Sequence, residues 1–206
     1  MPEQQHLRQF LLFVFVLLIP CFGLWTVASE PLARPAVGFV STVLTAWFPD
    51  VVHSMYIDGK QTLLMTHFGE QNGVIVDAGN AEYRLGFPLN TRLLSYSLPF
   101  YAALHFATPQ ADYLARFLWG LVILYPLMAL GLLLLGMKEL MVSLGERFLQ
   151  QPETWVPDPN VIALGYQMSV LLVPTLGPVL VWLWQNRASP LLAGVFQKPG
   201  ETNQSL

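Results

Sequence analysis

Residues 88–109 read PLNTRLLSYSLPFYAALHFATP. Here a polar, strand-like segment runs into an apolar one. Asn90 and Arg92 stand at the entrance; Tyr96, Ser97, Pro99 and Tyr101 lie within, and His105 near the end. The apolar run itself, 93–107, is short for a crossing of about 30 Å of hydrocarbon. The residues before this stretch read as a small domain outside the bilayer, and those after it as membrane anchor.

The composition agrees. Of 206 residues, 54% are hydrophobic and only 11% charged, against about 25% in an ordinary soluble domain. The chain therefore belongs to the membrane class. A net charge of −3 with no basic run gives nucleic-acid binding no electrostatic support. A single cysteine, Cys21, rules out an internal disulfide framework and any multi-thiolate metal site. The four histidines, His6, His53, His67 and His105, show no ligand spacing. No metal or cofactor is expected.

Taken in order, 10–28 (FLLFVFVLLIPCFGLWTVA) is an uncharged run, read as a retained anchor rather than a cleaved signal. The two prolines of 30–35 suggest a loop, so 1–35 forms the first unit. Residues 36–50 come next as an interfacial helix, with Phe39, Val40, Val43, Leu44 and Trp47 on its apolar face. From 51 to 87, alternation, β-branched residues and turn dipeptides predict an antiparallel meander of three or four strands. Asp58-Gly59 makes the first turn, and 74–76 pairs with 81–87. So small a sheet lacks a core of its own and must pack on the bilayer, on the 36–48 helix or on a partner.

Residues 88–184 then form a three-span region. After the short span, Thr108 reads as a helix N-cap with Pro109 behind it. A full-length span covers 117–137, a second interfacial helix 138–151, and a last span 161–184 interrupted by Pro174 and Pro178. Trp47, Trp155, Trp182 and Trp184 are read as membrane-interface anchors. Residues 185–206 are a polar tail. The expected fold is thus membrane α-helical, with about four transmembrane helices and a small β meander between the first two. The sheet suits a periplasm, which places the N-terminus in the cytoplasm. Arg8, Arg116, Arg187 and Lys198 then lie inside and six basic residues, Lys60 among them, outside, a balance that runs against the positive-inside rule.

Cys21, Arg92 and His105 offer one catalytic set: a thiolate nucleophile, an oxyanion holder and a proton carrier. Two facts weigh against it. An apolar run disfavours the thiolate. Thirteen helical residues separate Arg92 from His105 by about 20 Å. Asn90 or Thr91 as a cap and Arg92 as a group reaching lipid phosphate or a partner's acid is the simpler reading. The Ser and Tyr side of the span, with Pro99 as its bend, reads as a helix or partner contact surface. None of the four spans holds an Asp or Glu, which disfavours a transporter. His53 and His67 read as solvated strand residues.

PCFGLW (20–25), FPDVV (48–52) and above all PLNTRLLSYSLPFYAALHFATP (88–109) resemble the exosortase H-associated membrane protein family of small bacterial inner-membrane proteins. The last stretch is similar to that family's Asn-Pro-Leu or Pro-Leu start, Tyr-Ser/Gly-Leu-Pro centre and Ala-Leu…Ala-Thr-Pro end. Asn90 comes after Pro88-Leu89, the reverse of the expected order. The resemblance implies association with a system that processes membrane-anchored C-terminal tags on exported proteins, with the protease a separate chain. The function expected is a non-catalytic accessory or scaffold subunit in contact with lipids and another integral membrane protein. A membrane cysteine peptidase using Cys21, Arg92 and His105, and a structural subunit of a larger secretion, pilus or respiratory complex, are the alternatives.

Overall fold

The chain is described by a computed structural model covering residues 2–59, 61–152, 154–187 and 189. Lys60, Lys198 and most of the expected 185–206 tail lie outside the described residues. The first element is a single 46-residue helix, α1, Pro2–Trp47. At 1.5 Å per residue it is about 69 Å long, more than twice a hydrocarbon core. The expected loop at 30–35 is therefore helix. Pro31 and Pro35 each lack an N–H for the carbonyl one turn back. Both are exposed, four residues apart on the outer face, so their rings obstruct no neighbour. Next to the carbonyl that Pro35 leaves bare, that of Leu32 accepts from the Tyr125 hydroxyl at 3.0 Å.

The upper part of α1 is also not the interfacial helix expected at 36–50. Ala33, Ala36, Val37, Val40, Leu44 and Phe48 are all buried, whereas Phe39, placed on the apolar face by the sequence, is 63% exposed. This stripe faces protein. A four-stranded antiparallel sheet packs on it: β1 Val52–Asp58, β2 Gln61–Gln71, β3 Val74–Asp77 and β4 Tyr83–Leu89. Met55 N donates to Ser41 Oγ at 3.1 Å, pinning the sheet to α1.

The sheet is not a plain meander. β2 pairs with all three other strands, and β4 joins β2 rather than β3 as expected. The reason is size. β3 has four residues, and β2 has eleven, long enough to hold β1 along its first half and β3 along its second. The β2–β4 ladder is irregular between Met65 and Gly69; the buried Thr66 hydroxyl donates to the Leu85 carbonyl there, at 3.0 Å. The β2–β3 turn is Asn72-Gly73, with φ of 52° and 78°, the two positive angles of a type I′ hairpin. Gly59 takes the expected positive φ, 57°, at the β1–β2 tip.

Beyond the sheet come α2 Arg92–Ser95 and α3 Ser97–Ala107, then α4 Tyr113–Leu144 and α5 Glu146–Leu149, then α6 Pro159–Leu171 and α7 Val173–Asn186. Among the described residues, α1 and α4 are long and apolar enough to cross a membrane. α6 and α7 meet at 60° and make a third if counted as one broken span. The break falls where Pro174 has no N–H to give the Val170 carbonyl. α3, eleven residues or about 16 Å, is too short by itself, so four separate spans are not all present as long helices. The expected interfacial helix at 138–151 is the end of α4 plus α5. Leu140, Leu144 and Phe148 turn into the sheet-side core instead of toward lipid. Leu11, Leu12, Phe15, Leu118, Leu164 and Leu180 are exposed apolar side chains, as on a lipid-facing surface.

Leu44→Ala empties a site that is 0% exposed between Gly136 and Leu64, and should cost about 2–5 kcal/mol. Phe39→Ala, five residues away on the open face, should stay within about 0.5 kcal/mol. Thermal or denaturant unfolding of the purified protein in detergent compares the two.

Candidate functional site

Two polar centres lie at opposite ends of α2–α3. The far one begins with Tyr101 and His105, one turn apart on the same face of α3 and both fully buried. Buried polar groups in an apolar bundle must find partners. His105 Nε2 lies 2.9 Å from the Tyr113 carbonyl, which can only accept, so this nitrogen carries the proton. Nδ1 is then an acceptor; Gln110 Nε2 stands 3.2 Å from it and Tyr101 Oη 3.3 Å. A phenol has one proton to give. The Gln185 Oε1 at 2.9 Å is its nearest acceptor, closer than the Arg116 carbonyl at 3.2 Å. Gln185 Nε2 donates in turn to the Arg116 carbonyl at 2.9 Å.

This knot fastens the end of α3, the start of α4 and the end of α7. Gly120 makes room for it: a Cβ there would lie 2.0 Å from the Tyr101 hydroxyl. Thr108 belongs to the same end. It is the C-cap of α3, not the N-cap expected for the next helix, and its Oγ donates to Leu104 O at 2.9 Å. Trp182 Nε1 donates to Thr108 Oγ1 at 2.7 Å, and its indole stacks on Phe10 with ring centroids 5.0 Å apart. Trp182 is thus an internal tie between α1, α3 and α7 and not the interfacial anchor expected. Helix α4 begins after Asp112, whose φ of 56° turns the chain.

The second centre is at the sheet end. Asn90 Oδ1 accepts from Arg92 N at 3.2 Å, a local turn ahead of α2, whose N-cap is Thr91 without a side-chain capping bond, and Thr62 Oγ1 donates to Thr91 Oγ1 at 3.4 Å. Thr91 and Arg92 line a cleft of about 120 Å³ with Thr26, Ser29 and Glu30 of α1 and Gly59, Gln61 and Thr62 of the first hairpin. Glu30 is ion-paired with Arg34 at 2.8 Å. Arg92 is exposed, and among the described residues its guanidinium has no ion pair or hydrogen-bond partner.

The other sequence-picked residues sort by burial. Ser97, Pro99 and Tyr101 are buried in their own bundle, and Ser97 Oγ donates to the Leu94 carbonyl at 2.9 Å, so these offer no outward surface. Tyr96 is half-buried. Trp47 and Trp155 stack on each other at 6.0 Å, and Trp47 Nε1 donates to the Trp155 carbonyl. Trp184 stays exposed. His53 and His67, facing across β1 and β2 with ring centroids 5.0 Å apart, are both exposed. Cys21 is half-buried within the apolar part of α1. Among the described residues no hydrogen bond links it to Arg92 or His105, and those two sit at opposite ends of α2–α3. The sequence pointed to neither Gln110 nor Gln185, because their pairing partners lie on other elements.

The family model for the exosortase H-associated membrane protein matches residues 4–189 of the 206. The chain belongs to this family. No curated protein and no solved structure matches it. The exosortase H-associated family name connects the chain with an exosortase, itself a membrane protein.

Tyr101→Phe keeps the ring and deletes the hydroxyl, and should cost about 1 kcal/mol. With Gln185→Leu the losses should be non-additive by at least about 0.5 kcal/mol, because both remove one bond. A double-mutant cycle on thermal unfolding measures this.

Proposed function

We propose that this exosortase H-associated protein is a non-catalytic accessory subunit of the exosortase sorting system. It sits in the inner membrane with the sheet on the periplasmic side, holding the protease or its tagged substrate. α2–α3 and the bent α6–α7 pair complete a four-crossing bundle with α1 and α4. The observation that carries the reading is the bonding of His105. Its Nε2 donates to the Tyr113 carbonyl and its Nδ1 accepts from Gln110 Nε2, which spends both nitrogens on structure. A catalytic histidine needs one nitrogen within reach of a nucleophile's proton. Cys21, the only thiol, lies in an apolar run that offers nothing to stabilise a thiolate.

The test is tag processing in cells that lack the native chain. Replacement by the wild type should restore processing, and Cys21→Ser should restore it equally. Loss of processing with Cys21→Ser, while the protein still accumulates in the membrane, overturns the accessory reading. Co-expressed with the exosortase in mild detergent, the tagged chain should elute together with it on size exclusion.

A further inference from the structure

Below the Arg92 cleft lies a second hollow of about 480 Å³, lined by Leu18, Ile19 and Phe22 of α1, Tyr96, Phe100 and Thr175. Helical spacing lines the two up as one seam, crossed by the contact in which Trp25 Nε1 donates to Ser95 Oγ at 3.2 Å. Ile19, Phe22, Thr26 and Ser29 succeed each other at three or four residues along α1, and Arg92, Tyr96 and Phe100 at four along α2–α3. The upper part offers a cation and hydroxyls; the lower part is wholly apolar in its side-chain character apart from the Tyr96 and Thr175 oxygens. The division falls at a definite depth. Between Arg8 and Glu30, 22 residues apart on α1 or about 33 Å of helix, no charged residue occurs, which matches one hydrocarbon thickness. The cleft begins where that run stops.

We propose that this seam binds one glycerophospholipid, with its phosphodiester on Arg92 and Thr91 and an acyl chain along Ile19, Phe22 and Phe100. Charge complementarity selects this occupant. Arg92 is a five-donor cation whose charge no side chain among the described residues neutralises, since Glu30 is held by Arg34. The Thr91 hydroxyl, accepting from Thr62, keeps its own proton to donate. Glu30 and the hydroxyl oxygens of Thr26 and Ser29, on the opposite wall, are acceptors suited to an amine or hydroxyl headgroup. The site does not depend on the accessory reading, and the isolated chain tests it.

Purified full-length protein, stripped of lipid in detergent, is titrated with phosphatidylethanolamine and with phosphatidylglycerol and monitored by native mass spectrometry. A single lipid adduct should form. Arg92→Gln should weaken it by about tenfold or more, the size expected for a lost charge-assisted hydrogen bond. Ile19→Trp, at a position 78% exposed and so harmless to folding, should block the groove and weaken it as well. Preference between the two lipids reports the headgroup contact at Glu30. Soluble glycerophosphoethanolamine, lacking chains, should not compete. Binding unchanged in Arg92→Gln or in Ile19→Trp, or full competition by the chain-free headgroup, overturns the proposal. So does a result in which Arg92→Gln keeps the lipid but loses the exosortase, which would assign the seam to a partner protein.

Discussion

The structure depends on α1 remaining helical through Glu30–Pro35. Two prolines there remove two backbone bonds, and the helix survives with their rings facing outward, while Tyr125 from α4 bonds the Leu32 carbonyl beside the one that Pro35 leaves bare. A break at this point would detach the apolar 10–28 run from the 36–47 segment. The sheet would then lose the surface that covers Val52, Met55 and Leu64. One rigid rod instead carries both layers, bundle at one end and sheet at the other. The sheet of about 40 residues, too small to stand alone, borrows its core from α1 and α4.

The two polar centres obey opposite rules. At the far end Tyr101, His105 and Thr108 are buried, and among the described residues no buried side-chain nitrogen or oxygen lacks a partner. Tyr101 donates to Gln185, Gln185 to the Arg116 carbonyl, and His105 is held between Gln110 and the Tyr113 carbonyl, which fixes three helix ends. At the sheet end Arg92 is left unneutralised in a small cleft open to the outside. Polarity that is spent locks a structure; polarity left unspent is available for a ligand. The same short segment, α2–α3, carries one of each at its two ends, which explains why its sequence is so mixed.

Composition and uncharged runs placed the chain in a membrane, and the Asp58-Gly59 turn located the first hairpin. The motifs at 20–25, 48–52 and 88–109 pointed to the family that matches 4–189. These signals are local: hydropathy, positive-φ residues and short motifs act over a few positions. Ends and faces were less legible. Pro31 and Pro35 read as a loop because a proline's effect depends on which way its ring points. The 36–48 stripe read as lipid-facing because an apolar face looks alike whether lipid or a sheet will cover it.

The sequence by itself determined the two long apolar spans, an antiparallel sheet after the first of them and the family, since each derives from side-chain chemistry at fixed local spacing. Only the tertiary structure decided that β4 joins β2, that Trp182 turns inward to Thr108, and that His105 is locked by Gln110 and Tyr113 while Gln185 accepts the Tyr101 hydrogen bond. Those outcomes rest on contacts between residues as much as 84 positions apart, between Tyr101 and Gln185. Burial then decides them, because a polar group without water must take whichever partner the fold brings to it.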